Sequence, residues 1–184
     1  MPPGPASDIV RVFGLAGWSG SGKTTLLVRL VERLTVLGYA VSTVKHAHHA
    51  FDVDQPGKDS YRHRLAGAHE VMVASGNRWA LMHELRGAPE PTLGDLTAHM
   101  TPVDLLLVEG FKREAHDKLE IWRKDHGQPL RAPDDPHVVA VATDDPAAVT
   151  PLVGVPVFDL DDVDAIARFI VDRCGLAAAR QMRA

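Results

Sequence analysis

A chain of 184 residues with 45% hydrophobic and 24% charged side chains has the composition of one ordinary globular domain. Its net charge of −4 argues against a nucleic-acid partner, and its apolar runs are shorter than the ~18 residues that cross a bilayer. A single cysteine, Cys174, excludes an internal disulfide and is typical of a cytoplasmic protein. We therefore expect a cytoplasmic protein with neither nucleic acid nor a membrane as its partner.

Strands and helices alternate along the chain, as hydrophobic periodicity and turn residues indicate. Strands are predicted at residues 9–16, 40–45, 104–108, 119–123, 137–142 and 155–158. Helices are predicted at 24–37, 60–68, 92–100 and 163–171, and a hairpin is predicted from 71–74 and 79–82. This order predicts an α/β fold, with a mostly parallel sheet, helices on both faces and a small hairpin insertion.

The segment Gly17–Thr24 fits the phosphate-binding pattern G-x-x-x-x-G-K-[ST] between a predicted strand and a predicted helix. Glycines let the backbone turn its N–H groups toward a phosphate chain, and the helix N-terminus adds partial positive charge. In such a loop Lys23 reaches the β- and γ-phosphates, and Thr24 offers its hydroxyl to Mg²⁺. We therefore predict a P-loop NTPase-type site for a nucleoside triphosphate, formed by Gly17, Ser19, Gly20, Ser21, Gly22, Lys23 and Thr24.

The domain organisation follows from this motif. Residues 1–8 are expected to be a disordered lead-in, residues 9–175 a single P-loop nucleotide-binding domain, and residues 176–184 a C-terminal tail. No internal repeat or low-complexity segment divides the chain further.

Further polar segments follow predicted strands, and in open parallel sheets ligands bind beyond the carboxyl ends of strands. Glu109 ends one strand, where it could bind Mg²⁺ through water, position an attacking water or simply be solvated. Asp144 ends another strand, and its carboxylate could accept both the N1–H and the exocyclic amine of guanine. Guanine is therefore the expected base, although the complete Asn-Lys-x-Asp signature is absent.

The segment from Lys45 to Ser60 is rich in potential ligands. Three aspartates could supply oxygen to Mg²⁺, namely Asp52, Asp54 and Asp59, whereas three histidines could hold a transition metal, namely His46, His48 and His49. The segment lacks cysteine and mixes hard and soft ligands, which favours a polar active-site loop over a dedicated zinc or nickel site. A solvated loop is the remaining alternative.

Four segments together resemble the family of molybdopterin-guanine dinucleotide biosynthesis protein B (MobB): Gly17–Thr25, Lys45–His49, Asp52–Asp54 with Pro56–His63, and Leu107–Lys112. Gln55 departs from the family pattern, which has a basic residue there. The resemblance implies a homodimeric GTP-binding protein with weak GTPase activity. It also implies an adaptor that helps a MobA-like nucleotidyltransferase attach GMP to molybdopterin. By position, Gly20–Thr25 would hold phosphates, Thr24 and an aspartate of the second segment would serve Mg²⁺, and Glu109 would lie near the γ-phosphate. Asp144 would read the guanine.

Two other function classes fit parts of the sequence. The histidines suggest a metallochaperone GTPase that inserts nickel, and the phosphate loop also occurs in small-molecule kinases. The sequence shows no arginine-rich lid, which argues against a kinase. It also shows no identifiable arginine finger, so we expect slow intrinsic hydrolysis of GTP.

Overall fold

The computed structural model describes residues 11–47 and 51–177. Within them, the residues up to His46 and from Thr101 onward form one compact unit, and Ala47–Met100 form a second. The predicted lead-in, the first two residues of the first predicted strand, and most of the tail lie outside the described residues. The prediction of a single domain over residues 9–175 stays a prediction.

The first unit contains six strands and three α-helices among its described residues. The strands are β1 (Arg11–Gly17), β2 (Val41–Lys45), β5 (Leu105–Glu109), β6 (Lys118–Trp122), β7 (Val138–Thr143) and β8 (Val157–Asp159). The helices are α1 (Lys23–Val36), α4 (Pro146–Val149) and α5 (Val163–Arg173), with short 3-10 turns at Lys124–His126 and Thr150–Leu152.

All six strands form one parallel sheet in the order β2-β5-β1-β6-β7-β8. The central strands β1 and β5 are almost completely buried, as continuous apolar sequences in a parallel sheet require. The short strand β8 lies at the edge, in agreement with its preceding Pro156, which cannot donate to a ladder. The α/β parallel-sheet prediction is confirmed.

The core of this unit lies between the sheet and the helices α1 and α5. Each helix presents a buried apolar stripe at the spacing of one helical face: Leu26, Leu30 and Leu34 on α1, and Ile166, Ala167 and Ile170 on α5. These stripes pack on buried residues of the four inner strands, including Phe13, Leu107, Ile121 and Ala142. The packing holds α1, and with it the loop that precedes α1, against the carboxyl end of β1.

The second unit contains α2 (Asp59–Leu65), β3 (Glu70–Ala74), β4 (Trp79–His83) and α3 (Leu93–Thr97). Strands β3 and β4 pair antiparallel, which confirms the predicted hairpin. Thr92 caps α3 through a capping box with Asp95, but the helix ends at Thr97 rather than at the predicted Met100. Ala98 and His99 form a turn instead of continuing the helix.

For the other predicted elements, the sequence-based boundaries agree with the structure to within a few residues, whereas α4 and the two 3-10 turns were not predicted. β2 begins one residue later than predicted, and α5 extends two residues further, to Arg173. Among the described residues, we find no helix with the length and apolarity needed to cross a membrane.

Candidate nucleotide-binding site

The loop between β1 and α1 has the backbone of an anion-binding turn. Gly20 and Gly22 have φ angles of 80° and 98°, a left-handed conformation that side-chain-bearing residues rarely adopt. The Ser21 N–H donates to the carbonyl of Trp18 at 3.2 Å, which closes the turn. Within the described residues no side chain caps the first turn of α1, whose N-cap is Gly22, so its N–H groups remain directed outward. The loop therefore combines a tight glycine turn with the uncapped N-terminus of a helix, an arrangement suited to binding a phosphate chain.

Lys23 begins α1, and its ammonium group donates to the carbonyl of Trp18 at 2.7 Å. Burial lowers the pKa of Lys23 below its ordinary value, Glu109 opposes this, and the cations Lys112, Lys45 and Arg131 lower it further. Positive charges therefore predominate around the loop, and the negative charge of Glu109 offsets part of them. A bound polyanion would relieve this repulsion.

Thr24, Glu109 and Lys45 form one polar cluster beside the loop. The Thr24 hydroxyl donates to the Glu109 carboxylate, at 3.0 Å from Oε1 and 3.1 Å from Oε2. Lys45 Nζ lies 3.4 Å from Glu109 Oε1. The parallel pairing of β2 with β5 places Lys45 and Glu109 in register at their carboxyl ends. Although Glu109 is only 8% exposed, its charge is compensated by these donors.

The donor set at this cluster fits Mg²⁺. The Thr24 hydroxyl and the Glu109 carboxylate are hard oxygen ligands that already lie within hydrogen-bond distance of each other. Mg²⁺ takes few protein ligands and retains several waters, so two such side chains beside a phosphate loop are sufficient. Phe111, two residues beyond Glu109, has a φ of 48°, a strained backbone of the kind that concentrates at functional sites.

The segment after β6 folds back against the phosphate loop. The Trp18 indole N–H donates to the carbonyl of Pro129 at 2.9 Å, and the Arg131 guanidinium lies over the Trp18 ring, 4.3 Å from its centroid. The buried Glu120 carboxylate accepts the Arg131 N–H at 2.8 Å and the Ala132 N–H at 2.8 Å. Burial raises the pKa of Glu120, whereas these two N–H donors lower it. Glu120 thereby anchors the segment.

Asp144 lies one residue beyond β7 and is held by its neighbours. Its Oδ2 accepts a hydrogen bond from Arg123 Nη1 at 3.1 Å, and its Oδ1 accepts the Lys124 N–H at 3.4 Å. Arg123 Nε also donates to the Ser21 carbonyl of the phosphate loop at 3.1 Å. The predicted base-reading carboxylate is therefore tied to the predicted phosphate-binding loop.

The other two predicted magnesium ligands belong to the second unit and have partners there. Asp54 Oδ1 accepts hydrogen bonds from the Ser60 hydroxyl at 2.8 Å and the Gln55 N–H at 3.0 Å. Asp59 is exposed at the start of α2 and pairs with Arg62 at 3.9 Å. In the described ranges, no three His, Cys, Asp or Glu side chains form a metal cluster. Whether Asp54 or Asp59 binds Mg²⁺ stays a prediction, and His48 and His49 lie outside the described residues.

Comparison with known proteins gives the family. The family described as MobB, molybdopterin guanine dinucleotide synthesis protein B, matches residues 12–144. The chain belongs to the MobB family. An Escherichia coli relative named molybdopterin-guanine dinucleotide biosynthesis adapter protein is 42% identical over 167 residues, which cover 89% of this chain and 93% of the relative. The Haemophilus influenzae protein of the same name is 40% identical, with 88% of each chain covered.

A crystal structure of molybdopterin-guanine biosynthesis protein B has the same fold. It superposes with a TM-score of 0.69 at 26% identity, covering 89% of this chain and 99% of the other. Membership of the MobB family places this chain in molybdopterin-guanine dinucleotide biosynthesis, in the adapter role for which the relatives are named.

Three charged residues of this MobB family member contact the predicted site residues but were not among the predictions. The sequence predicts Lys45 as the last residue of a strand and the first of the ligand-rich segment, and it indicates no role for Lys45, Arg123 or Arg131. Lys45 and Arg123 each stand at or immediately after the carboxyl end of a parallel strand. The strand-end rule that selected Glu109 and Asp144 would therefore have found both of them. Arg131 gave no local signal, because a long turn of irregular backbone brings it to Trp18.

Proposed function

We propose that this MobB-family adapter binds GTP together with Mg²⁺ at the loop Gly17–Thr24. The arrangement that carries the proposal is the convergence of the loop, the Lys23 ammonium and the Thr24–Glu109 pair at the carboxyl ends of neighbouring strands. The loop N–H groups and Lys23 would hold the phosphates, with Gly17, Ser19 and Thr25 contributing to the loop surface. Thr24 and Glu109 would hold Mg²⁺, and the aspartates Asp54 and Asp59 remain further candidate ligands.

We assign the guanine preference to Asp144. A carboxylate accepts two parallel hydrogen bonds from guanine N1–H and its exocyclic amine, and adenine offers no such pair of donors. Asp144 stands on the same edge of the sheet as the phosphate loop, separated from β1 by a single strand, β6. If the base bound at Asp144, its triphosphate would extend across the end of β6 to the loop.

The same residues would support slow hydrolysis of GTP. Lys23 and the loop N–H groups would neutralise charge that develops on the phosphate oxygens, and Glu109 would orient the attacking water. Mg²⁺, when bound, supplies further neutralisation of the phosphate charge. Two arginines lie against the loop, but Arg123 is bound to Ser21 and Asp144, and Arg131 is stacked on Trp18. Neither is free to act as an arginine finger, which agrees with slow turnover.

The protein partner in this proposal is a MobA-like nucleotidyltransferase that attaches GMP to molybdopterin. The relatives in Escherichia coli and Haemophilus influenzae are named adapter proteins of molybdopterin-guanine dinucleotide biosynthesis, and an adapter requires a catalytic partner. We further propose that the protein acts as a homodimer in the cytoplasm. The dimer is tested by the mass of the purified protein in analytical ultracentrifugation.

Calorimetric titration with GTP, ATP and CTP in the presence of Mg²⁺ tests the nucleotide proposal. We expect GTP to bind more tightly than ATP and CTP. Lys23→Ala should weaken the binding of GTP about 10- to 100-fold, the size of a charge-assisted hydrogen bond. Lys124→Ala is the matched control, because the Lys124 side chain pairs with Asp145 and is 66% exposed. Equal affinity of the native protein and Lys23→Ala for GTP would overturn the proposal.

Reconstitution with a purified nucleotidyltransferase tests the adapter proposal. The rate at which the transferase attaches GMP to molybdopterin should rise when this protein is added, and rise less with Lys23→Ala. If the native protein changes neither the rate nor the GTP requirement of the transferase, the proposed partnership is wrong. GTP hydrolysis at hundreds of turnovers per second by this protein alone would contradict the accessory role.

A further inference from the structure

Arg123 occupies a bridging position between two functional regions. It follows β6 directly, and β6 lies between β1, which leads into the phosphate loop, and β7, which leads into Asp144. A side chain at the carboxyl end of β6 therefore has the loop on one side and Asp144 on the other. Arg123 contacts both.

The contacts of Arg123 with the phosphate loop involve the backbone. Its Nε donates to the Ser21 carbonyl at 3.1 Å. Its guanidinium also lies against Gly22, with Nη2 3.6 Å from the position that a Cβ on Gly22 would occupy. A Cβ at Gly22 would be in ordinary van der Waals contact with the guanidinium, so the planar group lies directly beside the loop.

The contact of Arg123 with Asp144 fixes the orientation of a carboxylate. Arg123 Nη1 donates to Asp144 Oδ2 at 3.1 Å, and the side chains are 38% and 36% exposed. The Lys124 N–H donates to Oδ1 of the same carboxylate at 3.4 Å. Each oxygen of Asp144 is therefore held by one donor while a second lone pair on each remains available to a ligand.

We propose that Arg123 is a specificity-determining residue that positions Asp144 to read the guanine base relative to the phosphate loop. This inference rests on the proposed GTP binding. Two parallel hydrogen bonds to a base require a carboxylate plane with a defined direction, and a partly exposed aspartate on a loop does not keep one unaided. The planar guanidinium donates one hydrogen bond to Asp144 and one to the Ser21 carbonyl, so it holds the carboxylate in a defined direction relative to the loop backbone.

The ratio of GTP affinity to ITP affinity measures this role. Inosine retains N1–H but lacks the exocyclic amine, so the ratio reports one of the two hydrogen bonds of Asp144 and is independent of the phosphates. In the native protein we expect a ratio of about ten, the size of one hydrogen bond to a charged acceptor. In Arg123→Ala the ratio should fall to within about twofold of one, as it should in Asp144→Ala.

Two further variants separate positioning from general damage. Arg173→Ala should keep the native ratio, because its guanidinium pairs with Asp117 at 2.7 Å, before the amino end of β6 and away from Asp144. Arg123→Ala combined with Asp144→Ala should have the same ratio as Asp144→Ala alone. A loss of GTP and ITP affinity in equal proportion would show that Arg123 supports only the phosphate loop, and would overturn the inference.

The outcomes distinguish this inference from the proposed function. A native protein that binds no guanine nucleotide would refute the proposed function itself. A native protein whose preference for GTP over ITP is lost in Asp144→Ala but kept in Arg123→Ala would refute only the role of Arg123. If Asp144→Ala leaves the ratio unchanged, Asp144 is not the reader and Arg123 cannot act through it.

Discussion

The Thr24 hydroxyl donates to both oxygens of the Glu109 carboxylate, at 3.0 and 3.1 Å, although 85 residues separate the two in sequence. The contact joins the first turn of α1 to the carboxyl end of β5. Because Lys45 also lies 3.4 Å from this carboxylate, Glu109 balances positive charge as well as offering hard oxygen ligands.

Glu109→Gln should separate these two roles. Removing the negative charge should strengthen GTP binding without Mg²⁺, since the phosphates then meet less repulsion, and should reduce the gain in affinity that Mg²⁺ gives by about tenfold. Calorimetric titration with and without Mg²⁺ measures both effects. Asp117→Asn is the control, because Asp117 pairs with Arg173 at 2.7 Å and lies before the amino end of β6, whereas Glu109 lies at the carboxyl end of β5. A Mg²⁺-dependent gain that is unchanged in Glu109→Gln would rule Glu109 out as a metal ligand.

GTP binding should be accompanied by proton uptake in alkaline solution. Burial and neighbouring cations lower the pKa of Lys23, and bound phosphate raises it again, so nucleotide binding draws a proton onto the ammonium group. Affinity should accordingly begin to fall at a pH below the ordinary lysine pKa of about 10.4.

Calorimetry in buffers of different ionisation enthalpy, at pH values where the phosphates are fully ionised, counts these protons. Lys124→Ala should retain the uptake and Lys23→Ala should lose it. If Lys23→Ala takes up as many protons as the native protein, another group is responsible.

Gly14→Ala should destabilise the sheet by about 1–3 kcal/mol. A Cβ at Gly14, in the middle of β1, would lie 2.8 Å from Cδ2 of His116 and 3.0 Å from Cγ of Lys118. Cβ atoms rarely approach other atoms so closely, so the side chains of His116 and Lys118 would have to shift. Denaturant unfolding of the single variant and of Gly14→Ala with His116→Ala measures the effect. The second substitution should recover part of the stability, and an equal loss in both proteins would place the strain elsewhere.

Stability should decrease in mild acid because of His116. Burial, with Lys118 and His137, lowers the pKa of His116 to about 4, and neither ring nitrogen has a hydrogen-bond partner among the described residues. Between pH 6.5 and pH 4 the unfolded chain therefore binds more protons than the folded protein. The free energy of unfolding should fall by roughly 2 kcal/mol over this range, less than the full shift would give because the ring is not completely buried.

His116→Leu should flatten this acid dependence, as measured by urea unfolding at pH 7 and pH 4.5. The exposed His99 provides the control, and His99→Leu should keep the native slope. A native slope in His116→Leu would assign the acid sensitivity to other groups.

The sequence was sufficient for the central elements of the fold. The apolar run at residues 104–108 predicted the strand that became β5, and the hydrophobic periodicity at 24–37 predicted α1, which buries Leu26, Leu30 and Leu34. The end of α3 was not predicted, because short helices depend on tertiary contacts more than on local propensity. Boundaries elsewhere agreed to within a few residues.

The sequence alone determined the turn at Gly17–Thr24, because glycines such as Gly20 and Gly22 set a local backbone geometry that needs no distant partner. Only the tertiary structure decided which side chains share the site with that loop. The order of the strands brings Glu109 to Thr24 and Arg123 to Asp144, and strand order arises from contacts between segments far apart in the chain. The local sequence determines the secondary structure of each segment, and the packing of the sheet determines which segments are in contact.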